Sequence, residues 1–393
     1  MTMADVVIAG AKRTPMGGFQ GALGTMSAPE LGGIAIAAVL EESKLSASHI
    51  DEVLMGIVLP AGVGQAPARQ ASIAANIPLD VPCTAISKVC GSGMKAVALG
   101  CDQIAAGTAK TVVAGGMESM TRAPYLSLNS RNGARLGHTQ LIDHMFFDGL
   151  EDAYEKGALM GKFAEMCASK FQLTREAQDD YALASLSRAQ EAQTSGKFTR
   201  EIAKVVVKSR SGEIEYIDDE QPQKARPEKI RQLKPAFDKD GTVTAANASS
   251  ISDGAAAIIL TSAEEAKAQG LTARARIVGH ASHAREPQWF TTAPIGATEN
   301  LLKKIGWSVE DVDLWEVNEA FAVVPMVFMQ HFSIAHEKMN VNGGACALGH
   351  PIGASGARII VTLLNALEDR GLKRGVASIC IGGGEGMSIA IER

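Results

Sequence analysis

A chain of 393 residues exceeds one ordinary hydrophobic core, which predicts two or three subdomains and interior enough to bury a large site. Its net charge is −5 and its lysines and arginines are dispersed, which excludes a nucleic-acid surface built on a basic stripe. The composition is 46% hydrophobic but only 5% aromatic, with 40 glycines, a profile that fits tightly packed small-residue layers of an α/β protein.

In chain order, "MTMADVVIAGAKRTP" enters an apolar strand (VVIAGA, residues 6–11) without a charged leader or a long apolar region, and no later apolar run reaches a membrane span. With six cysteines scattered outside any disulfide framework, a cytoplasmic protein with reduced thiols is expected. "PELGGIAIAAVLEESK" has the apolar spacing of a helix, and TVVAGG (111–116) reads as a second strand. From about 122 to 248 the composition turns polar: "RNGARLGHTQLIDH" is turn-rich, "TREAQDDYALASLSRAQEAQ" is a helix capped by Thr174, and "DDEQPQKARPEKIRQLKP" is charged and punctuated by proline. Such a segment looks like an inserted cap, whose basic edge either meets an anionic substrate or is a solvated face. Strand and helix grammar then returns: "RIIVTLLNALEDRG" is a helix closed by Gly371, and "VASICIGGGEGMSIAIE" is two strands about a glycine turn. The segments starting at Cys90 and at His350 share an order of reactive residue, Ser-Gly, helix, basic spacer, strand, Gly-Gly and acid, which predicts an internal duplication.

Three residues carry the chemistry. Cys90 stands before Gly91-Ser92-Gly93 and an apolar helix, where the helix N-terminus is expected to favour a thiolate. His350, in "GGACALGHPIGASGAR", has only small neighbours, which suggests room for a bulky ligand to reach the imidazole. Cys380 closes a strand and is followed by "IGGGEG", a source of unhindered amide groups at the strand's exit. That turn lacks the G-x-G-x-x-G register of a dinucleotide site, and no close-spaced Cys or His pairs suggest a metal. "WEVNEAFA" adds Asn318, able to hold a water or polarise an oxygen.

Together, "VCGSGMKA", "GGMESM", "TVTAANAS", "NEAFA", "VNGGACALGHPIGASGAR" and "CIGGGEG" closely resemble the thiolase family, in order over essentially the whole chain. The resemblance implies an α/β fold of two pseudo-symmetric layered halves, each with a mixed five-stranded sheet. Residues 1–121 would form the first half, completed by 249–272. Residues 122–248 would be a loop domain covering coenzyme A, and 273–393 the second half. It implies reversible Claisen condensation of two acetyl-CoA to acetoacetyl-CoA and CoA, with no metal or prosthetic group because the CoA thioesters are substrates. Cys90 would carry the acyl group, His350 would activate it, and Cys380 would exchange the α-proton. One oxyanion hole would use the amides of Cys90 and Gly382, the other His350 and a water on Asn318.

The resemblance further places Met160, Ser249, Ala320 and Phe321 along the pantetheine tunnel, with Lys224 and Arg226 at the CoA phosphates. It implies a homodimer, paired into a tetramer through "RNGARLGHTQLIDH". Two positions depart from the family: Leu159 stands where acetoacetyl-forming members commonly have histidine, and Gln223 where arginine is frequent. Leu159 keeps a degradative 3-ketoacyl-CoA thiolase of broader chain length as an alternative. A non-catalytic acyl-CoA or lipid binder is the alternative from another class.

Overall fold

The computed structural model describes residues 5–209 and 212–393. In the first half the elements run β1 (Val6–Arg13), α1 (Ala28–Ser43), β2 (Glu52–Gly56), α2 (Pro67–Ala74), β3 (Cys83–Ile86), α3 (Ser92–Ala105) and β4 (Thr111–Ser119). The inserted segment carries α4 (Met160–Lys170) and α5 (Arg175–Thr194), and β5 (Ser252–Ser262) returns to the first half. The second half follows with β6 (Ala275–Ala284), α6 (Ala293–Ile305), β7 (Leu314–Val317), α7 (Val323–Phe332), α8 (Ser355–Arg370), β8 (Arg374–Ile381) and β9 (Glu385–Glu392). Their ends are chemically marked. Ser27 and Glu30 form a reciprocal capping box at α1, Thr174 accepts from Ala177 at α5, and Gly371 closes α8 with φ of 65°.

The strands form one path, β7-β8-β9-β6-β1-β5-β4-β2-β3, in which the same pattern occurs twice. β2 lies parallel to β4, β4 antiparallel to β5 and β5 antiparallel to β1. Likewise β7 lies parallel to β8, β8 antiparallel to β9 and β9 antiparallel to β6. Even the irregularities repeat, since β1 bulges between Ile8 and Gly10 and β6 between Ile277 and Gly279. The halves differ at one edge: the first has five paired strands, whereas the place of a fifth strand in the second holds only the isolated parallel bridge of Trp315 with Met339. Short antiparallel pairing of β1 with β6 joins the sheets.

Burial sets the layers. Leu31, Ile36 and Val39 of α1 pack with Ala71 of α2 on Val53, Val113 and Ile259 of the first sheet. On the other face, Met94 and Val97 of α3 meet Ile360, Leu363 and Leu367 of α8, between Val112 and Ile258 of one sheet and Ile379 and Ile389 of the other. Enclosed on every side, α8 buries every residue from Ser355 to Leu367, the polar Arg358, Thr362 and Asn365 among them. Beyond the second sheet, Leu301, Val324 and Phe328 cover Val317, Val376 and Ala390. The insertion is tied to β1 by Arg13, whose buried guanidinium donates to Glu201 at 2.6 Å and to both oxygens of Asp219 at 2.7 and 2.9 Å. Among the described residues, no helix is long and apolar enough to cross a membrane.

Candidate active site

Where the two halves and the insertion meet lies a cavity of about 340 Å³. Cys90 enters it from the loop between β3 and α3, His350 from the loop before α8, and Gly382 from the β8–β9 turn. Met160 and Leu159 stand at the start of α4, Ser249 just before β5, and Ala320 and Phe321 just after β7. The rest of the wall is nearly all apolar and includes Met120, Phe146, Leu150 and Ile352, so few groups compete with Cys90 and His350 for a polar ligand atom. Phe321 is held edge-on between Phe237 and Phe290.

Backbone contact between the two central helices brings these loops together. A Cβ on Gly93 would lie 2.9 Å from the amide nitrogen of Ala357, and one on Gly356 only 2.5 Å from that of Met94. Only glycine lets the N-termini of α3 and α8 touch, which sets the Cys90 and His350 loops side by side. Gly356 is thus small for helix approach, a reason that spacing alone did not reveal. Gly353 makes the same point, because its Cβ would sit 2.7 Å from Glu118 Oε2 and 2.9 Å from Ile57 Cα.

Cys90 is half-buried, and Val89 before it adopts φ of 45°, a strained conformation for a β-branched residue. Burial pushes its thiol up to about 11, outweighing the amides of Gly382 and Cys90 itself, which bond the sulfur and favour the thiolate. This reverses the expectation of a thiolate prepared by the helix N-terminus; Cys90 needs a base. His350 supplies one. Burial, and then the Arg358 guanidinium, push its imidazole down to about 3, so it is neutral at pH 7. Ser355 Oγ donates to Pro351 O at 2.9 Å and lies 2.5 Å from His350 Nδ1. The hydroxyl hydrogen being used, Ser355 accepts from Nδ1–H, and the lone pair falls on Nε2. Proton transfer from Cys90 creates a thiolate and an imidazolium that stabilise each other.

Asn318 Nδ2 stands 3.4 Å from His350 Nε2, and its buried Oδ1 has no protein partner. The neighbouring Glu319 does not face the cavity. It anchors the segment, accepting from Tyr181 Oη at 3.0 Å, Asn340 Nδ2 at 2.8 Å, Ser185 Oγ at 2.7 Å and Cys346 N at 3.1 Å. Cys380 is fully buried in β8 and is not part of the cavity wall; burial, and then the charge of a Cys90 thiolate, push its thiol well above the usual range.

A second cavity, of about 320 Å³, shares Ala245 and Ser250 with the first and is lined by Lys224, Arg226 and Lys229. Its bases are exposed, and Lys224 pairs with Glu220. The passage thus runs from a basic mouth to an apolar interior. Among the described residues, no group of three or more His, Cys, Asp or Glu is placed to hold a metal ion. Sequence reading missed Glu118, whose carboxylate accepts from three backbone amides beside this site, and Ser355, which sets the tautomer of His350. Each had a trace, as the acid of "GGMES" and the Ser-Gly that mirrors Ser92-Gly93.

The family model for the thiolase N-terminal domain matches residues 6–264, and that for the thiolase C-terminal domain residues 271–393. A protein of Pseudomonas aeruginosa named acetyl-CoA acetyltransferase is 49% identical over 393 residues, covering 100% of both chains. The crystal structure of the Bacillus anthracis acetyl-CoA acetyltransferase superposes with a TM-score of 0.97 at 40% identity, covering 100% of this chain and 99% of that one. A thiolase from Ascaris suum in complex with coenzyme A superposes with a TM-score of 0.93 at 42% identity, covering 99% of this chain and 100% of the other. With both family models matched and relatives similar from end to end, the chain belongs to the thiolase family of acyltransferases.

Proposed function

We propose that the chain catalyses the acetyl-CoA C-acetyltransferase reaction, condensing two acetyl-CoA to acetoacetyl-CoA and CoA, reversibly. The observation that carries this reading is Cys90, its sulfur bonded by the amides of Cys90 and Gly382, sharing one apolar cavity with the Nε2 lone pair of a neutral His350. Full-length similarity to the Pseudomonas aeruginosa acetyl-CoA acetyltransferase supports the same substrate.

His350 Nε2 takes the Cys90 proton, the thiolate adds to the thioester carbonyl, and CoA leaves with the proton of Cys380. The amides of Cys90 and Gly382 hold the oxyanion of this step. The second acetyl-CoA gives its α-proton to the Cys380 thiolate so formed, the carbanion displaces Cys90 from the acetyl group, and the Cys90 thiolate recovers its proton from His350. His350 Nε2–H, which keeps the Cys90 proton through this step, and a water on Asn318 Oδ1 donate to the enolate oxygen of that second thioester. Two carbonyls need two oxyanion holes because one must stay electrophilic while the other becomes nucleophilic.

Coenzyme A threads both cavities. Its phosphates meet Lys224 and Arg226, and its pantetheine passes Ser249, Met160, Ala320 and Phe321. No metal or organic cofactor enters this chemistry. Cytoplasmic residence fits six free cysteines. The homo-oligomer reading fits the edge strand β3 and the exposed Leu136 and Leu141 of the 131–144 loop. Intact mass after mixing with acetyl-CoA tests the core of the proposal: one added acetyl group on Cys90 is expected, and an unmodified chain would sink it.

A further inference from the structure

The internal repeat has a second anion hole, and the protein fills it with its own carboxylate. Counted back from Ser92 of α3 and Ser355 of α8, Cys90 and Gly353 occupy the same place. Counted forward from the left-handed glycines after those helices, Gly107 (φ 75°) and Gly371 (φ 65°), Glu118 and Gly382 occupy the same place. Each pair crosses between the halves. The amide of Gly382 in the second half meets the Cys90 loop of the first, and Glu118 in the first half meets the Gly353 loop of the second.

Glu118 is fully buried. Its Oε2 accepts from Gly353 N and Val58 N, each at 2.9 Å, and its Oε1 from Leu59 N at 3.2 Å. One carboxylate thus fixes the turn that starts α8, three residues beyond His350, to the loop after β2. It has no mechanistic task above, and among the described residues no cation is paired with it.

We propose that Glu118 is a positioning residue for the reaction, holding the His350–Gly353 segment in register with Cys90 through the Gly353 amide. The proposal rests on the reading of Cys90 as nucleophile and His350 as its base. In Glu118→Gln the side chain keeps its shape but presents an NH₂ to one of the three amide donors, so the segment shifts and Nε2 loses its aim at Cys90. Neither Glu118 nor Gly353 lines the two cavities proposed to take coenzyme A, so its binding should hold.

The test compares full-length wild type and Glu118→Gln at about pH 8.5, above the value of about 7 to which burial raises Glu118, by two readouts: the rate of Cys90 alkylation by iodoacetamide, located by peptide mass, and kcat and KM for thiolysis of acetoacetyl-CoA. Alkylation and kcat should both fall by roughly 10- to 100-fold, the scale of an ångström's misplacement, with KM unchanged within about twofold. A folded variant with wild-type alkylation and kcat, or one in which only Tm moves, overturns the proposal. Alkylation decides even if wild type performs no thiolysis, a result that would count against the condensation chemistry alone. Should the variant fail to fold, hydrogen exchange on wild type takes over: the Gly353 amide should be strongly protected, and exchange at the rate of an open amide overturns the assignment.

Discussion

The inner cavity and the basic mouth are neighbours that share Ala245 and Ser250, yet they use charge in opposite ways. Inside, His350 is buried, and burial pushes the Cys90 thiol up to about 11 and the His350 imidazole down to about 3. At the mouth Lys224, Arg226 and Lys229 are exposed, where water and salt screen each charge and any one contact is worth little. Substitutions inside should therefore act on kcat and those at the mouth on KM, and a graded set of variants tests that division.

The largest effect belongs to Cys90→Ala. Without the sulfur no acyl-enzyme forms, so turnover should fall by more than about 10⁴-fold and the acetyl adduct should vanish from the intact mass. His350→Asn should lower kcat by about 10²- to 10⁴-fold, the range for a lost general base, with KM nearly unchanged. Cys380→Ser should slow condensation and thiolysis over a similar range of about 10²- to 10⁴-fold while acetyl-CoA still labels Cys90. Full condensation activity in that variant would remove Cys380 from the mechanism.

The buried histidine also sets a pH limit. Its folded value of about 3 lies below its ordinary one of about 6.5, so between them the unfolded chain binds a proton that the folded chain refuses. Stability should fall as pH drops through that window, by about 1.4 kcal/mol per unit from this residue. Glu118 and Glu316 act in the other direction, because burial raises them to about 7 and about 8. Each holds a proton that the unfolded chain has released, so their cost grows as pH rises above about 4.5 and levels off past the folded values. Urea titrations across pH should thus show the acid slope flattened in His350→Asn and the alkaline slope retained. An unchanged acid slope would mean that His350 is solvated.

A smaller change is expected at the mouth. Lys224→Ala with Arg226→Ala should raise KM for acetoacetyl-CoA by about three- to tenfold at low salt, less at high salt, and leave kcat alone. A fall in kcat at constant KM would break the contrast between the two regions.

Local signals made much of this legible. Thr174, Gly371 and the β8–β9 hairpin mark their own positions because caps and turns depend on a few adjacent residues. The Ser-Gly after both Cys90 and His350 pointed to the duplicated halves, which the paired sheets and matching bulges display. What spacing could not carry were relations across the chain. Glu118 meets Gly353 over a separation of 235 residues, and the glycines near His350 make sense only once α8 lies against α3. The sign of the Cys90 shift was misread for the same reason. A helix N-terminus is visible in sequence, but the burial that outweighs it comes from the other half and the insertion.

Leu159 offers the finest test. It precedes α4 with extended backbone and no side-chain cap bond, and its side chain joins Phe146, Leu150 and Ile352 on the apolar wall. A hydrophobic wall discriminates weakly, about 1–3 kcal/mol per methylene, so shortening it should change selectivity more than rate. In Leu159→Ala the ratio of kcat/KM for a longer 3-ketoacyl-CoA to that for acetoacetyl-CoA should rise by roughly fivefold, within that range. Wild type should prefer acetoacetyl-CoA. If it prefers the longer chain, the leucine is the acyl-binding surface of a degradative thiolase, and Leu159→His should then penalise the long chain by burying a polar group against it. The two outcomes differ in what the wall is for. In the first it only closes the space behind a small acetyl group, and in the second it binds the substrate's tail.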